Sequence, residues 1–151
     1  HVNLPQANSF IPLGTLPDSE VAIHCQEYEK RIRELGIDIQ LLGIGRSGHI
    51  GFNEPGSLVD SPTRRVQLHA QTVVDAGPAF GGEANVPKEA ITMGIGSIFQ
   101  AKQCLLCAWG SGKREIVQKA LSMAPSSEVP ATFLQTHPNT VFILDEAASP
   151  Q

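Results

Sequence analysis

Residues 37–56 read Ile37-Asp38-Ile39-Gln40-Leu41-Leu42-Gly43-Ile44-Gly45-Arg46-Ser47-Gly48-His49-Ile50-Gly51-Phe52-Asn53-Glu54-Pro55-Gly56. The run through Ile44 is too continuously apolar for a half-exposed strand and suits a strand of a buried parallel sheet. It feeds a loop in which, from Gly43 to Gly56, five glycines, one imidazole and one carboxylate fall within fourteen residues. Glycine permits turns and close ligand approach that a Cβ would block. In open α/β sheets ligands collect at the carboxyl ends of strands. The stretch therefore reads as a strand followed by a site loop.

The flanking sequence fits that frame. Residues 1–17 are proline-rich and without period, an irregular lead-in. Asp18 or Ser19 can cap a helix. Val21, Cys25, Tyr28, Ile32 and Leu35 then form one apolar stripe, with Glu27, Glu29, Lys30, Arg31, Arg33 and Glu34 solvated. Gly36 supplies the stop, and His24 sits beside the stripe as a surface or half-buried histidine. Downstream, residues 64–68, 90–93, 104–109 and 140–144 read as strands. Helical segments fall at 72–80 (disturbed by Pro78), 97–101 (capped by Ser97), 113–123 and 131–136. Buried strands alternating with amphipathic helices predict a doubly wound, mainly parallel α/β sheet with helices on both faces, Rossmann-like. The 151 residues suit a single domain.

Composition narrows the function classes. The chain is 41% hydrophobic and 17% charged, as a folded globular protein is. A net charge of −4 gives no electrostatic case for nucleic acid or an anionic membrane. No apolar stretch approaches the roughly 18 residues that span a bilayer, and His1-Val2-Asn3-Leu4-Pro5 lacks the basic start of a signal peptide. Cys104-Leu105-Leu106-Cys107 has redox or metal spacing, but it lies inside an apolar strand. It reads with Cys25 as buried structural cysteine, which implies a reducing, cytoplasmic setting.

His49 is the leading candidate for chemistry, because imidazole takes and returns a proton near neutral pH. Glu54, five residues on, can fold back to orient it and stabilise its charged form. A His-x4-Glu pair is neither HExxH nor a three-ligand metal set. The glycines do not spell GxGxxG or a Walker loop, and Gly45-Arg46-Ser47-Gly48 is not GxSxG. These spacings support no dinucleotide or Walker-type site and make a metal site the weaker reading.

The stretch from Gly43 to Gly56 resembles the active-site signature of the glucosamine-6-phosphate deaminase (isomerase) family. The likeness continues through Ser61-Pro62-Thr63-Arg64, Val86-Pro87-Lys88-Glu89-Ala90-Ile91-Thr92-Met93-Gly94-Ile95-Gly96, Gly110-Ser111-Gly112-Lys113 and Leu134-Gln135-Thr136-His137. The related 6-phosphogluconolactonases share the Gly-His step but lack the Phe-Asn-Glu-Pro that follows it. The resemblance implies cofactor-free opening of glucosamine 6-phosphate, proton transfer from C2 to C1, and hydrolysis to fructose 6-phosphate and ammonia. It assigns ring opening to His49 with Glu54 in support, and contact with the substrate to Lys113 (at its phosphate) and Gly48. It also implies a homo-oligomer.

The sequence departs from the family pattern in three places. Ser47 replaces the usual aspartate before Gly-His, leaving Glu54 to carry the negative charge alone. Pro78 falls where many members place a phosphate-binding arginine, a loss that Arg64 or Arg65 can offset. Val66 replaces an allosteric lysine of some bacterial members. The likeness also begins inside the family's pattern, so the fold is expected to be incomplete at its N-terminus. Residues 1–151 then form the C-terminal part of a sugar-phosphate domain, without the upstream phosphate loop and the C2 proton-transfer aspartate. Two alternatives stay open: a neighbouring sugar-phosphate enzyme, lactonase or isomerase, and a non-catalytic sugar-phosphate effector domain.

Overall fold

A computed structural model describes residues 3–150 of the chain. The first two positions of the expected lead-in lie outside the described residues. The rest of it is irregular, with one 3-10 turn at Gln6–Asn8. The elements then run α1 (Asp18–Leu35), β1 (Ile37–Gly43), β2 (Arg64–Gln67), α2 (Ala70–Ala76), β3 (Glu89–Thr92), α3 (Ile95–Ile98), β4 (Ala101–Ala108), α4 (Arg114–Ser122) and β5 (Thr140–Leu144).

β1, β4 and β5 form a parallel sheet with β4 in the centre. Leu41 lies opposite Leu105, which lies opposite Val141. β2 and β3 form a separate antiparallel ribbon. The α/β class and the parallel sheet agree with the sequence, while the ribbon's antiparallel pairing was not foreseen.

Successive strand side chains point to opposite faces, and the two faces of this sheet differ. On one, Leu42, Cys104, Leu106 and Ala108 are buried in a core with Ile98 of α3, Ile116, Val117 and Ala120 of α4, and Leu134. On the other, Ile39 and Leu41 are 59% and 66% exposed, and Val141 and Ile143 are 41% and 40% exposed. A doubly wound sheet covers both faces with helices; within the described residues the second face is open. The alternation also separates the CxxC pair. Cys104 is fully buried on the packed face, and Cys107 points to the other side.

Several local readings are corrected. Pro17 occupies the N-cap of α1, with no side-chain cap bond from Asp18 or Ser19. Asp18 pairs instead with Arg65 of β2, at 2.5 Å. Glu29 is buried, not solvated. It lies one turn from Cys25 on the inward stripe, and its carboxylate accepts from the Thr63 amide at 2.7 Å and from the Ser97 hydroxyl. Burial pushes the Glu29 pKa up, but these hydrogen bonds and nearby Arg33 prevail and hold it below the usual value. Ser97 is therefore spent inside α3, whose N-cap is Gly94. α2 is shorter than 72–80 and gives way to a 3-10 turn at Gly77–Phe80 containing Pro78. β4 begins at Ala101, three residues earlier than expected, because its pairing with Ile37 starts there.

The ribbon is tied to the sheet layer where residues 61–62 cross the start of α3. A Cβ added at Gly94 would lie 1.9 Å from the Ser61 carbonyl oxygen, a backbone atom that cannot step aside alone. Gly94→Ala should therefore cost about 1–3 kcal/mol, as overpacking does. Urea denaturation reads this directly; an unchanged midpoint contradicts the packing.

Candidate active site

The loop after β1 folds back on itself at the carboxyl end of the sheet. The Gly45 amide donates to the His49 carbonyl and the Gly48 amide to the Gly45 carbonyl, both at 3.0 Å. Gly48 has φ +82°, a conformation that disfavours other residues. Its amide is thus committed to the turn, and its carbonyl accepts from Ala131. Gly45 serves close approach, since a Cβ there would fall 2.2 Å from His49 Cε1 and Nε2.

Farther along, Asn53 is completely buried and anchors the loop to the ribbon. Its amide donates to the carbonyls of Ile50 and Met93 at 2.9 and 2.8 Å, and its oxygen accepts from Arg64 at 2.8 Å. The Phe52 amide donates to the Thr92 hydroxyl at 3.0 Å.

This folding brings three of the sequence candidates together. His49 Nδ1 lies 3.0 Å from Glu54 Oε2 and 3.1 Å from Ser47 Oγ, and Ser47 donates to the same Oε2 at 3.0 Å. The other carboxylate oxygen, Oε1, accepts from the Thr72 hydroxyl at 2.5 Å and has a longer contact, 3.4 Å, to the His69 amide. Burial pushes the Glu54 pKa up. Hydrogen bonds from Thr72, His49 and Ser47, together with the charge of His49, outweigh that and hold it below the usual glutamate value. Glu54 is therefore ionised at neutral pH. An ionised carboxylate only accepts, so hydrogen bonding places the ring proton on Nδ1 and leaves Nε2 with a lone pair. A base with its second nitrogen held by a carboxylate is an arrangement for proton transfer.

The Cε1–Nε2 edge of His49 lies against Gly45, and His49 lines a cavity of about 430 Å³ together with Gly43, Ile44, Gly45, Gly51, Thr72, Asp75, Ala76 and Lys113. Lys113 reaches it from the 3-10 turn Ser111–Lys113 after β4, the strand beside β1, and donates to the Ile44 carbonyl at 2.8 Å. Asp75 of α2 pairs with Arg46 at 3.2 Å on the rim. Arg64 is not among these residues. Its guanidinium is held by Asn53 and Ser57 and lines a separate cavity with Pro55, Asp60 and Val66. Arg65 is engaged by Asp18 and Glu89. Pro78 does not line the His49 cavity. Among the described residues no group of three His, Cys, Asp or Glu side chains is placed to hold a metal ion.

Thr72 and Asn53 escaped the sequence reading as site-forming residues. Asn53 lay inside the signature without a local pattern to mark its burial. Thr72 is 18 residues from Glu54, and only tertiary packing shows the contact.

The family model for glucosamine-6-phosphate isomerases/6-phosphogluconolactonase matches residues 1–143. The chain is 45% identical over 141 residues to glucosamine-6-phosphate deaminase of Leuconostoc citreum (strain KM20), covering 93% of this chain and 60% of the relative. It is 47% identical over 146 residues to the deaminase of Bacillus cereus (strain B4264), covering 97% and 55%. A solved structure described as a monomeric glucosamine-6-phosphate deaminase superposes with a TM-score of 0.93 at 42% identity, covering 98% of this chain and 61% of that one. A 6-phosphogluconolactonase from Trypanosoma brucei shares the fold, with a TM-score of 0.63 at 22% identity over 97% of this chain and 62% of that one. The chain thus spans about 60% of the length of the curated deaminase from Leuconostoc.

The depressed Glu54 pKa has a consequence for stability. Its contribution is present above the ordinary glutamate pKa and is lost as pH falls through the lower folded-state value. The native protein's advantage over Glu54→Gln should be greatest near neutral pH and shrink below about pH 4.5. Denaturation across a pH series measures this, and an advantage that grows on acidification contradicts it.

Proposed function

This chain belongs to the family of glucosamine-6-phosphate isomerases and 6-phosphogluconolactonases, and we propose that the protein converts glucosamine 6-phosphate to fructose 6-phosphate and ammonia. The observation that carries this reading is His49, with Nδ1 held by Glu54 at 3.0 Å, lining a cavity that also contains Lys113. Opening a pyranose needs the anomeric hydroxyl to lose a proton and the ring oxygen to gain one. A single imidazole nitrogen can take the first and return the second, and Glu54 stabilises the cation formed in between. Lys113, a flexible cation, suits the substrate phosphate.

Ser47 supports this assembly through its hydrogen bonds without adding negative charge, so Glu54 alone balances the imidazolium. Gly48 acts by shaping the turn that carries His49. Arg64 is assigned to holding Asn53 and the loop, in place of the phosphate contact suggested by its position in the sequence. Proton transfer from C2 to C1 and release of ammonia require a further base, and none of the residues around His49 is assigned that role.

We read the 151 residues as the C-terminal part of a larger sugar-phosphate domain. The share of the relatives' length that is matched and the open apolar face of the sheet both support this. The cytoplasmic setting belongs to the same reading. Among the described residues no helix is long and apolar enough to cross a membrane. Size-exclusion chromatography with light scattering separates the homo-oligomer expected from the sequence from a monomer.

In the full-length protein, incubation with glucosamine 6-phosphate should release ammonia and form fructose 6-phosphate. His49→Asn should lower turnover by about 10²–10⁴-fold, the usual contribution of a positioned acid–base group. Hydrolysis of 6-phosphogluconolactone without ammonia release would transfer the reading to the lactonase branch. Binding of the amino-sugar phosphate by the full-length protein without turnover would leave an effector domain.

A further inference from the structure

We propose that Thr72 is a positioning residue whose hydroxyl seats Glu54 so that its other oxygen faces His49 Nδ1; its catalytic consequence rests on the deaminase reading above. Thr72 stands in the first turn of α2, is 9% exposed, and lines the His49 cavity. Its Oγ1 donates to Glu54 Oε1 at 2.5 Å. The hydroxyl is not spent on capping, because the His69 side chain accepts the Gln71 amide at the start of the helix.

A carboxylate on a free side chain rotates about its last bond, and a donor fixed on one oxygen defines where the second lies. Threonine suits that task because its β-branched side chain is stiff at χ1. With Oε1 claimed by Thr72, Oε2 is turned to Ser47 and His49, both at 3.0 Å. Among the described residues Glu54 is the only carboxylate within hydrogen-bond distance of His49. Nδ1 has Glu54 Oε2 as its nearest partner at 3.0 Å, with Ser47 Oγ at 3.1 Å and Thr72 Oγ1 itself at 3.4 Å beside it, so the imidazole is held chiefly through this one carboxylate.

The link also ties α2 to the site. α2 brings Asp75 and Ala76 to the same cavity, so the hydroxyl couples the cavity wall to the proton-transfer pair. The other charged or titratable groups around Glu54 are His69 ahead of α2, the Arg46–Asp75 pair, Lys113, and Arg64 with Asp60 on its far side. Of these the His69 amide alone reaches Oε1, at 3.4 Å, so the short 2.5 Å bond from Thr72 is the one that orders it.

The test is an NMR titration of the full-length protein, following the Glu54 carboxyl carbon and both His49 ring nitrogens without substrate. Thr72→Val keeps the shape and removes the hydroxyl. The Glu54 midpoint should rise towards the ordinary glutamate value, and neutral His49 should lose its bias towards protonation at Nδ1. Thr72→Ser keeps the hydroxyl and should titrate like the native chain. If the native chain turns over substrate, Thr72→Val should lower kcat about tenfold at nearly unchanged KM, as loss of one hydrogen bond to a charged group does, and Thr72→Ser should restore it. A folded Thr72→Val with native titration and tautomer overturns the proposal. If Thr72→Val does not fold, a displaced Glu54 titration in Thr72→Ser overturns it instead. Absence of ammonia release from the full-length protein counts against the deaminase reading, and the titration still judges Thr72.

Discussion

An ionised carboxylate taken out of water must be given donors, and Glu54 is 8% exposed. Its side-chain donors come from two segments: Ser47 and His49 in the loop after β1, and Thr72 in α2. Meeting that requirement folds residues 45–54 into a closed turn, draws α2 against it and fixes the ring of His49. The ring of His49 is left lining the cavity beside Gly45 as a result. The same bonds that make burial of the charge tolerable thus create the arrangement suited to proton transfer.

Other constraints hold this centre on the sheet. Parallel pairing of β1 with β4 sets their carboxyl ends side by side, so that the loop bearing His49 and the turn bearing Lys113 converge. Asn53 and Thr92 tie the loop to the antiparallel ribbon. Glu29 ties α1 to the ribbon and α3 through Thr63 and Ser97. Two buried carboxylates, one at the site and one behind it, hold the connections between layers.

Features carried by local pattern were legible in the sequence. The period of Val21, Cys25 and Ile32 located α1, the apolar run located β1, and the glycine-rich signature located His49 and Glu54. Features created by distant partners were not. Glu29 looked like one more charge on a solvated helix face, yet a backbone amide and a hydroxyl from two other segments take it inside. Arg64 looked available for a phosphate, yet Asn53 and Ser57 hold it elsewhere. Thr72 carried no signal, because one hydroxyl in a short helix has no periodicity to read. The open side of the sheet was equally hidden: Ile39, Leu41, Val141 and Ile143 have the composition of buried strand positions, and only the structure shows them uncovered.

The central claim is that the sugar phosphate is handled in the His49 cavity. A crystal structure of the protein with a bound amino-sugar phosphate tests it most directly. His49 Nε2 should lie within hydrogen-bond distance of the anomeric hydroxyl or ring oxygen, with the phosphate beside Lys113. A ligand seated instead in the cavity lined by Arg64 and Asp60, with the His49 cavity empty, would contradict it.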